Sequence, residues 1–167
     1  MTAPTPSQTI GPFFAVALPE LAIADDGDVV VHGYVLDGDD KPVDDAMIEL
    51  WHASGDGRLD PGVFRRAFTD RDGHYAVRTT PPGRAGDGAA PPHIDVSLFA
   101  RGLLQRLVTR IYLDDDVAAS DATNGADAVL AAVEPGRRRT LIAARDQAGY
   151  RFDVHLQGEQ ETVFFAW

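Results

Sequence analysis

The feature that most constrains the fold is a stretch of alternating side chains at residues His93–Phe99, which read His-Ile-Asp-Val-Ser-Leu-Phe. Alternation with a period of two is typical of a β-strand that buries one face and exposes the other. A turn at Arg101 and Gly102 follows, and then a second apolar run at Arg106–Leu113. We predict that these two runs pair as antiparallel strands.

The remaining sequence predicts an all-β protein. The chain has 16 glycines and 11 prolines in 167 residues, a content that favours short strands joined by turns over long helices. One short alanine-rich helix is predicted at Gly125–Val133. The further predicted strands, of which the first two are expected to form a hairpin, are Val29–Leu36, Ala46–Trp51, His74–Thr79, Tyr150–Leu156 and Thr162–Trp167. We therefore predict an antiparallel β-sandwich with little helix.

The N-terminal residues 1–27 are predicted to form an extended arm and linker, and residues 28–167 the β-sandwich domain. Prolines at positions 4, 6 and 12 favour extended backbone. The arm also carries Ile10, Phe13 and Phe14, apolar side chains that need a surface to cover them. No basic and apolar leader and no run of eighteen apolar residues is found, so we expect a cytoplasmic protein.

Charge and cysteine content exclude several classes of function. The formal net charge is −11, which disfavours nucleic acids and anionic membranes as partners. The chain contains no cysteine, so disulfides, thiolate metal sites and a cysteine nucleophile are excluded. A small anion remains possible as a ligand where arginines are placed locally.

One group of residues suggests metal chemistry. His93 and Asp95 lie on the same face of their predicted strand, and His155 follows in another. Two histidines and one carboxylate form the facial triad of non-haem Fe(II) oxygenases. The alternative is a histidine and an aspartate satisfied by hydrogen bonds at the end of a strand. Residues 156–167 contain no Lys or Arg to hold a 2-oxoglutarate carboxylate, which weighs against such an oxygenase.

Several motifs in combination resemble the intradiol ring-cleaving dioxygenases. The arm contains the pattern T-P-S-Q-T-x-G-P, and the alternating strand runs into L-F-A-R-G. The resemblance extends over nearly the whole chain. The other matching segments are Gly33–Gly38, Ile48–Trp51, Tyr150–Asp153 and Gly158–Phe165.

The resemblance implies that iron is held by another chain. Catalytic chains of the family bind Fe(III) with two tyrosines and two histidines, and the histidines form an H-x-H pair on the strand that matches His93–Phe99. Here Asp95 stands in place of the second histidine, and residues 54–68 and 81–92, where the tyrosine ligands are expected, contain no tyrosine. We therefore expect no metal in this chain, with His93 and Asp95 as vestigial positions.

The resemblance further implies a subunit of a hetero-oligomeric enzyme. Its homologous iron-binding partner would cleave protocatechuate with O2 to 3-carboxy-cis,cis-muconate, and the isolated chain is expected to be inactive. In the family such a chain completes the substrate pocket, with Arg101 adding a positive charge. A stand-alone β-sandwich binding module is the alternative. The residues that the resemblance places at the pocket are Thr9, Gly11, Pro12, Phe13 and Arg101.

Overall fold

The computed structural model describes residues 6, 8, 9, 11, 26–85, 91–116 and 127–166. Within these ranges most of the chain's regular secondary structure is strand. Helix is limited to residues 114–116, a short α-helix, α1 (Ala128–Ala132), and a 3-10 helix (Arg138–Leu141). None of its described helices is long and apolar enough to cross a membrane. The strands are β1 (Val29–Leu36), β2 (Met47–His52), β3 (Val63–Phe68), β4 (His74–Thr79), β5 (Ile94–Phe99), β6 (Leu107–Leu113), β7 (Ile142–Arg145), β8 (Tyr150–Arg151) and β9 (Val154–His155).

The strands follow the spatial order β3-β2-β5-β6-β7-β8-β1-β4, and β9 pairs with β1. Because β3 and β4 also contact each other, the sheet folds back on itself and encloses an apolar core. Most pairs are antiparallel, as predicted, but β6–β7, β1–β8 and β1–β9 are parallel. Fully buried side chains of the core include Val31, Val35, Leu50, Ile94, Val96, Leu98 and Ile111.

The alternating stretch forms β5, and its pairing with β6 is antiparallel as predicted. Ile94, Val96 and Leu98 are buried in the core, so the residues between them lie on the other face of the sheet. On that face Asp95 lies opposite Arg110 of β6 and opposite Trp51 of β2. This register brings an acidic and a basic side chain together.

The predicted hairpin of Val29–Leu36 with Ala46–Trp51 is wrong. Strand β1 pairs with β4, whereas β2 pairs with β3 and β5. The connection explains the difference: after the single bridge between Leu36 and Pro42 the chain bends and crosses to the other part of the sheet. Proline has no N–H to continue the ladder, so the turn does not extend into a hairpin.

The structure corrects two further predictions. Strands β3 and β7 were not predicted, and residues 162–166 contain no strand. The predicted strand Tyr150–Leu156 is interrupted between β8 and β9 by Phe152 and Asp153. There the carbonyl of Phe152 accepts a hydrogen bond from the buried Tyr75 hydroxyl at 2.6 Å. A Cβ at Gly33 would lie 2.0 Å from the same carbonyl oxygen, so only glycine fits this close approach.

Candidate functional site

The vestigial positions lie at the beginning of β5, and both side chains already have partners. The Asp95 carboxylate accepts a hydrogen bond from Nε of Arg110 at 2.9 Å. Nδ1 of His93 lies 2.9 Å from the carbonyl oxygen of Pro91, to which it donates. The ring of His93 packs 6.1 Å from the ring of Tyr112, measured between centroids.

Arg110 links Asp95 to a second carboxylate. Its Nη1 lies 3.5 Å from the Tyr112 hydroxyl and 3.5 Å from Oδ2 of Asp127. The Tyr112 hydroxyl donates a short hydrogen bond to the same Oδ2. Oδ1 of Asp127 accepts from the backbone N–H of Val129 at 2.8 Å and so caps the N-terminus of α1. We call Asp95, Arg110, Tyr112 and Asp127 the Arg110 network.

Three members of the Arg110 network are largely buried, namely Arg110, Tyr112 and Asp127, whereas the side chain of Asp95 is 44% exposed. The side chains of Arg110 and Asp127 are 15% and 4% exposed, respectively. Burial, together with the hydrogen bond to Asp127, raises the pKa of Tyr112, so that it stays a neutral phenol. Burial pulls the pKa of Arg110 down, but the hydrogen bond with Tyr112 and the charge of Asp95 outweigh it and leave a net increase. The guanidinium is therefore a permanent positive charge.

The described residues do not fit an iron ion. They contain no group of three or more His, Cys, Asp or Glu side chains placed to hold a metal. A hard ion such as Fe(III) favours anionic oxygen ligands, whereas Tyr112 is held as a neutral phenol by a carboxylate. Arg110 already supplies the positive charge beside Asp95.

His155 does not join His93 and Asp95. It lies on β9, which pairs with β1, whereas β5 lies between β2 and β6. Its Nδ1 is 3.5 Å from the carboxylate of Asp40. The structure therefore gives no support to the facial triad.

Two of the predicted pocket residues come together at the turn between β5 and β6. Oγ1 of Thr9 accepts a hydrogen bond from the backbone N–H of Gly102 at 2.9 Å, directly beside Arg101. Arg101 is 65% exposed, and its Nε lies 3.2 Å from Oδ2 of Asp45. The segment at Thr9 thus ties the predicted arm to the end of the alternating strand.

The structure gives less information on the other predicted pocket residues, Gly11, Pro12 and Phe13. A Cβ at Gly11 would meet nothing within 4 Å, so no described part of this chain uses the room that glycine leaves. Pro12 and Phe13 lie outside the described residues. The turn forms one wall of a shallow cavity of about 370 Å³. Its lining residues are Gln8, Thr9, Phe99, Ala100, Leu103, Leu104, Gln105 and Arg106.

A second groove was not foreseen from the sequence. It has a volume of about 700 Å³ and lies between α1 and the C-terminal residues 161–165. Helix α1 contributes Val129 and Ala132 to it, and the C-terminal segment contributes Phe164 and Phe165. Because Asp127 caps α1, the Arg110 network is connected to the helix that forms one wall of this groove.

Comparison with known proteins agrees with this fold. The sequence model of the dioxygenase family matches residues 22–158. The alpha chain of protocatechuate 3,4-dioxygenase from Burkholderia cepacia is 41% identical over 96% of both chains. The beta chain from the same organism is 32% identical over 80% of this chain and 66% of its own length. The dioxygenase domain of a carbohydrate-binding fusion protein from Streptomyces sp. SirexAA-E superposes with a TM-score of 0.60 at 25% identity, over 93% of this chain and 99% of that domain.

Fold and sequence together define a β-sandwich dioxygenase of the intradiol type, a class known for iron. The chain belongs to the intradiol dioxygenase family, and within it to the alpha chains of protocatechuate 3,4-dioxygenase. The resemblance and the fold class predicted from the sequence are thereby confirmed.

Proposed function

We propose that this chain is the subunit without iron of a two-chain intradiol dioxygenase. The homologous beta chain holds Fe(III), and the pair cleaves protocatechuate with O2 to 3-carboxy-cis,cis-muconate. The observation that carries this proposal is the Arg110 network, which places a guanidinium beside Asp95, where the family's catalytic chains have a metal ligand. The similarity to both alpha and beta chains supports a pair of related sandwiches.

The contribution of this chain is the shape and charge of the substrate pocket. We assign its wall to Thr9, Gly11, Pro12 and Phe13, and its positive charge to Arg101. The Thr9–Gly102 hydrogen bond supports this assignment, because it brings the arm next to Arg101. Arg101 contacts Asp45 through Nε and remains largely exposed, so its guanidinium is accessible to a carboxylate.

The division of the chain into an arm of residues 1–27 and a domain of residues 28–167 belongs to the same proposal. The match to the dioxygenase family begins at residue 22, close to the proposed boundary. An arm that reaches the partner would bury its apolar side chains in the interface between the two chains.

The proposal is tested by oxygen uptake with protocatechuate. The full chain is purified alone and after co-expression with a beta chain, and iron is assayed in both preparations. We expect neither iron nor uptake for the chain alone, and both for the pair. Iron-dependent uptake by the chain alone would overturn the proposal, and a pair that assembles without activity would favour a binding module instead.

The role of Arg101 is tested in the two-chain enzyme. We expect Arg101→Gln to raise KM for protocatechuate about tenfold or more, the loss of one hydrogen bond between charged groups. Catechol lacks the carboxylate, so its KM should not change. Arg71→Gln, at an exposed arginine in the turn before β4, is the matched control and should leave both values as they are.

A further inference from the structure

We propose that Arg110 is a built-in cation that replaces a metal in this chain and fixes the N-terminal end of α1. The proposal rests on the proposed function only for the assignment of iron to the partner chain. Its geometric basis is independent, because it lies in contacts within this chain. It assigns to Arg110 a positioning role.

The first argument is the number of elements that one side chain joins. Arg110 lies on β6, Asp95 on β5, and Asp127 at the N-terminus of α1. Nε faces Asp95, while Nη1 faces Asp127 and the Tyr112 hydroxyl. A guanidinium has five N–H donors in a rigid plane, so a single arginine can bridge acceptors that a lysine could not reach together.

The second argument is charge. Without Arg110, both carboxylates would lose their cation, and this matters most for Asp127, which is almost completely buried, whereas Asp95 is 44% exposed. An unpaired buried carboxylate is strongly unfavourable, so this arrangement requires a cation. A metal ion would have to expel the guanidinium and compete with the Tyr112 hydrogen bond for Asp127. The network therefore satisfies the carboxylates and excludes a metal ion.

The third argument is that the position of the N-terminal end of α1 depends on the network. No residue of α1 is buried, so packing does little to hold the helix in place. Its capping residue Asp127 is held by Arg110 and Tyr112. Helix α1 forms one wall of the 700 Å³ groove, and Arg110 holds the N-terminal end of that wall, while Arg138 donates to the carbonyls of Ala131 and Val133 at the other end.

The test compares removal of the cation with removal of the whole charge set. We expect Arg110→Met to lower the midpoint of thermal unfolding of the full chain by about 10 °C. In the triple variant Arg110→Met, Asp95→Asn, Asp127→Asn, at least half of that loss should be recovered, because no carboxylate is left unpaired. Asparagine also keeps the helix cap. Arg110→Lys should fall between wild type and Arg110→Met.

Two controls make the test specific. Arg145→Met removes an arginine that contacts an aspartate and a tyrosine at the surface, and we expect its midpoint to stay close to wild type. Addition of Zn2+ or ferric citrate should not shift the wild-type midpoint. A metal-dependent increase that Asp95→Asn abolishes would overturn the proposal.

The remaining outcomes are also decisive. A triple variant no more stable than Arg110→Met would show that charge compensation is not the role of Arg110. The same holds if Arg110→Met unfolds at the wild-type midpoint. Should Arg110→Met fail to fold, recovery of a folded triple variant would still support the proposal. Unfolding is read without activity, so the proposed function can fail while this inference stands, and the reverse.

Discussion

Two clusters of arginine, aspartate and tyrosine in this chain have the same chemistry and different surroundings. In each, one arginine nitrogen faces both the carboxylate and the phenol, and the phenol donates to the carboxylate. We refer to them as the buried cluster and the exposed cluster. The buried cluster is Arg110, Tyr112 and Asp127, and the exposed cluster is Arg145, Tyr150 and Asp115.

Solvent exposure separates the two clusters more than geometry does. The arginine distances are shorter in the exposed cluster, where Nη1 of Arg145 lies 2.8 Å from Asp115 and 3.0 Å from the Tyr150 hydroxyl, although the phenol–carboxylate hydrogen bond is shorter in the buried cluster. Yet the side chains of Arg145 and Asp115 are 63% and 57% exposed, so water and salt screen their attraction. In the buried cluster the side chains of Arg110 and Asp127 are 15% and 4% exposed, so water offers them few alternative partners. The comparison teaches that environment, rather than distance, determines what such a contact contributes.

The free energy of unfolding is expected to differ most between the two clusters when the carboxylate of each is removed. Asp127→Ala leaves Arg110 and Tyr112 without their shared acceptor and removes the helix cap, so we expect a loss of about 3–5 kcal/mol in the free energy of unfolding. Asp115→Ala should leave the free energy of unfolding close to wild type. Urea unfolding followed by circular dichroism measures both, and equal losses would contradict the role given to burial.

A smaller difference is expected for the two phenols. Tyr112→Phe removes a donor from the buried Asp127, at a cost of about 1–3 kcal/mol. Tyr150→Phe removes the same group at the surface and should change the free energy of unfolding by less than about 0.5 kcal/mol. Because both variants keep the aromatic ring, the comparison isolates the hydroxyl. Urea unfolding of Tyr112→Phe and Tyr150→Phe, carried out in parallel with the wild type, measures the contribution of each hydroxyl.

The sequence predicts the strand pairing beside the buried cluster, but it does not predict the contact between Asp127 and Tyr112. Period-two alternation fixes the face on which Asp95 lies, and the pairing of β5 with β6 makes a basic neighbour on β6 foreseeable. Asp127 comes from a separate segment of the chain, and no local pattern indicates that it reaches Tyr112. Spacing along the chain contains no information on such a contact, because only the tertiary fold brings the two residues together.

The fold was predicted in the same uneven way. Strands with clear alternation or β-branched runs, such as β1 and β5, were found with accurate bounds. Strand β3 was missed because Val63–Phe68 has two consecutive arginines in place of alternation. Those arginines are held by tertiary partners: Arg66 pairs with Glu49 on the neighbouring β2, and Arg65 donates to the backbone of Arg78. The propensity of individual residues indicates which segments form strands, whereas pairing with neighbouring strands determines where each strand lies in the sheet.

Burial also changes the pH range in which a group affects stability, and His52 offers the test on the buried side. Its Nδ1 donates to the carbonyl of Ala53 and its Nε2 accepts from the Thr79 hydroxyl, both at 2.7 Å. Burial lowers the pKa of His52 from its ordinary value of 6.5. In the unfolded chain His52 therefore takes up a proton near pH 6.5, whereas in the folded chain it takes up that proton only at lower pH. This contribution to stability is present above the unfolded value of 6.5 and is lost as the pH falls from there through the lower pKa of the folded chain.

We expect the free energy of unfolding of the wild type to decrease between pH 7.5 and 5.5, and His52→Gln to reduce that slope. Thr79→Val is the matched control, since it removes one hydrogen bond and keeps the imidazole. It should lower stability at every pH but retain the slope. A slope that is the same in wild type and His52→Gln would show that other groups produce it. Urea titrations at intervals across this pH range measure the effect.

The smallest effect is expected from titration of the exposed cluster. The hydrogen bond from Arg145, followed by that from Tyr150, lowers the pKa of Asp115 below its usual value of 3.8. For a carboxylate with a lowered pKa, the stabilisation is present above the unfolded value and is lost as the pH falls through the folded one, here below 3.8. NMR titration of the Asp115 carboxyl should show its pKa rising toward the usual value in Arg145→Met. Added salt should reduce the difference between the two proteins, because the pair is open to solvent. A difference that salt does not reduce would mean that the exposed cluster is shielded like the buried one, and the distinction between them would fail.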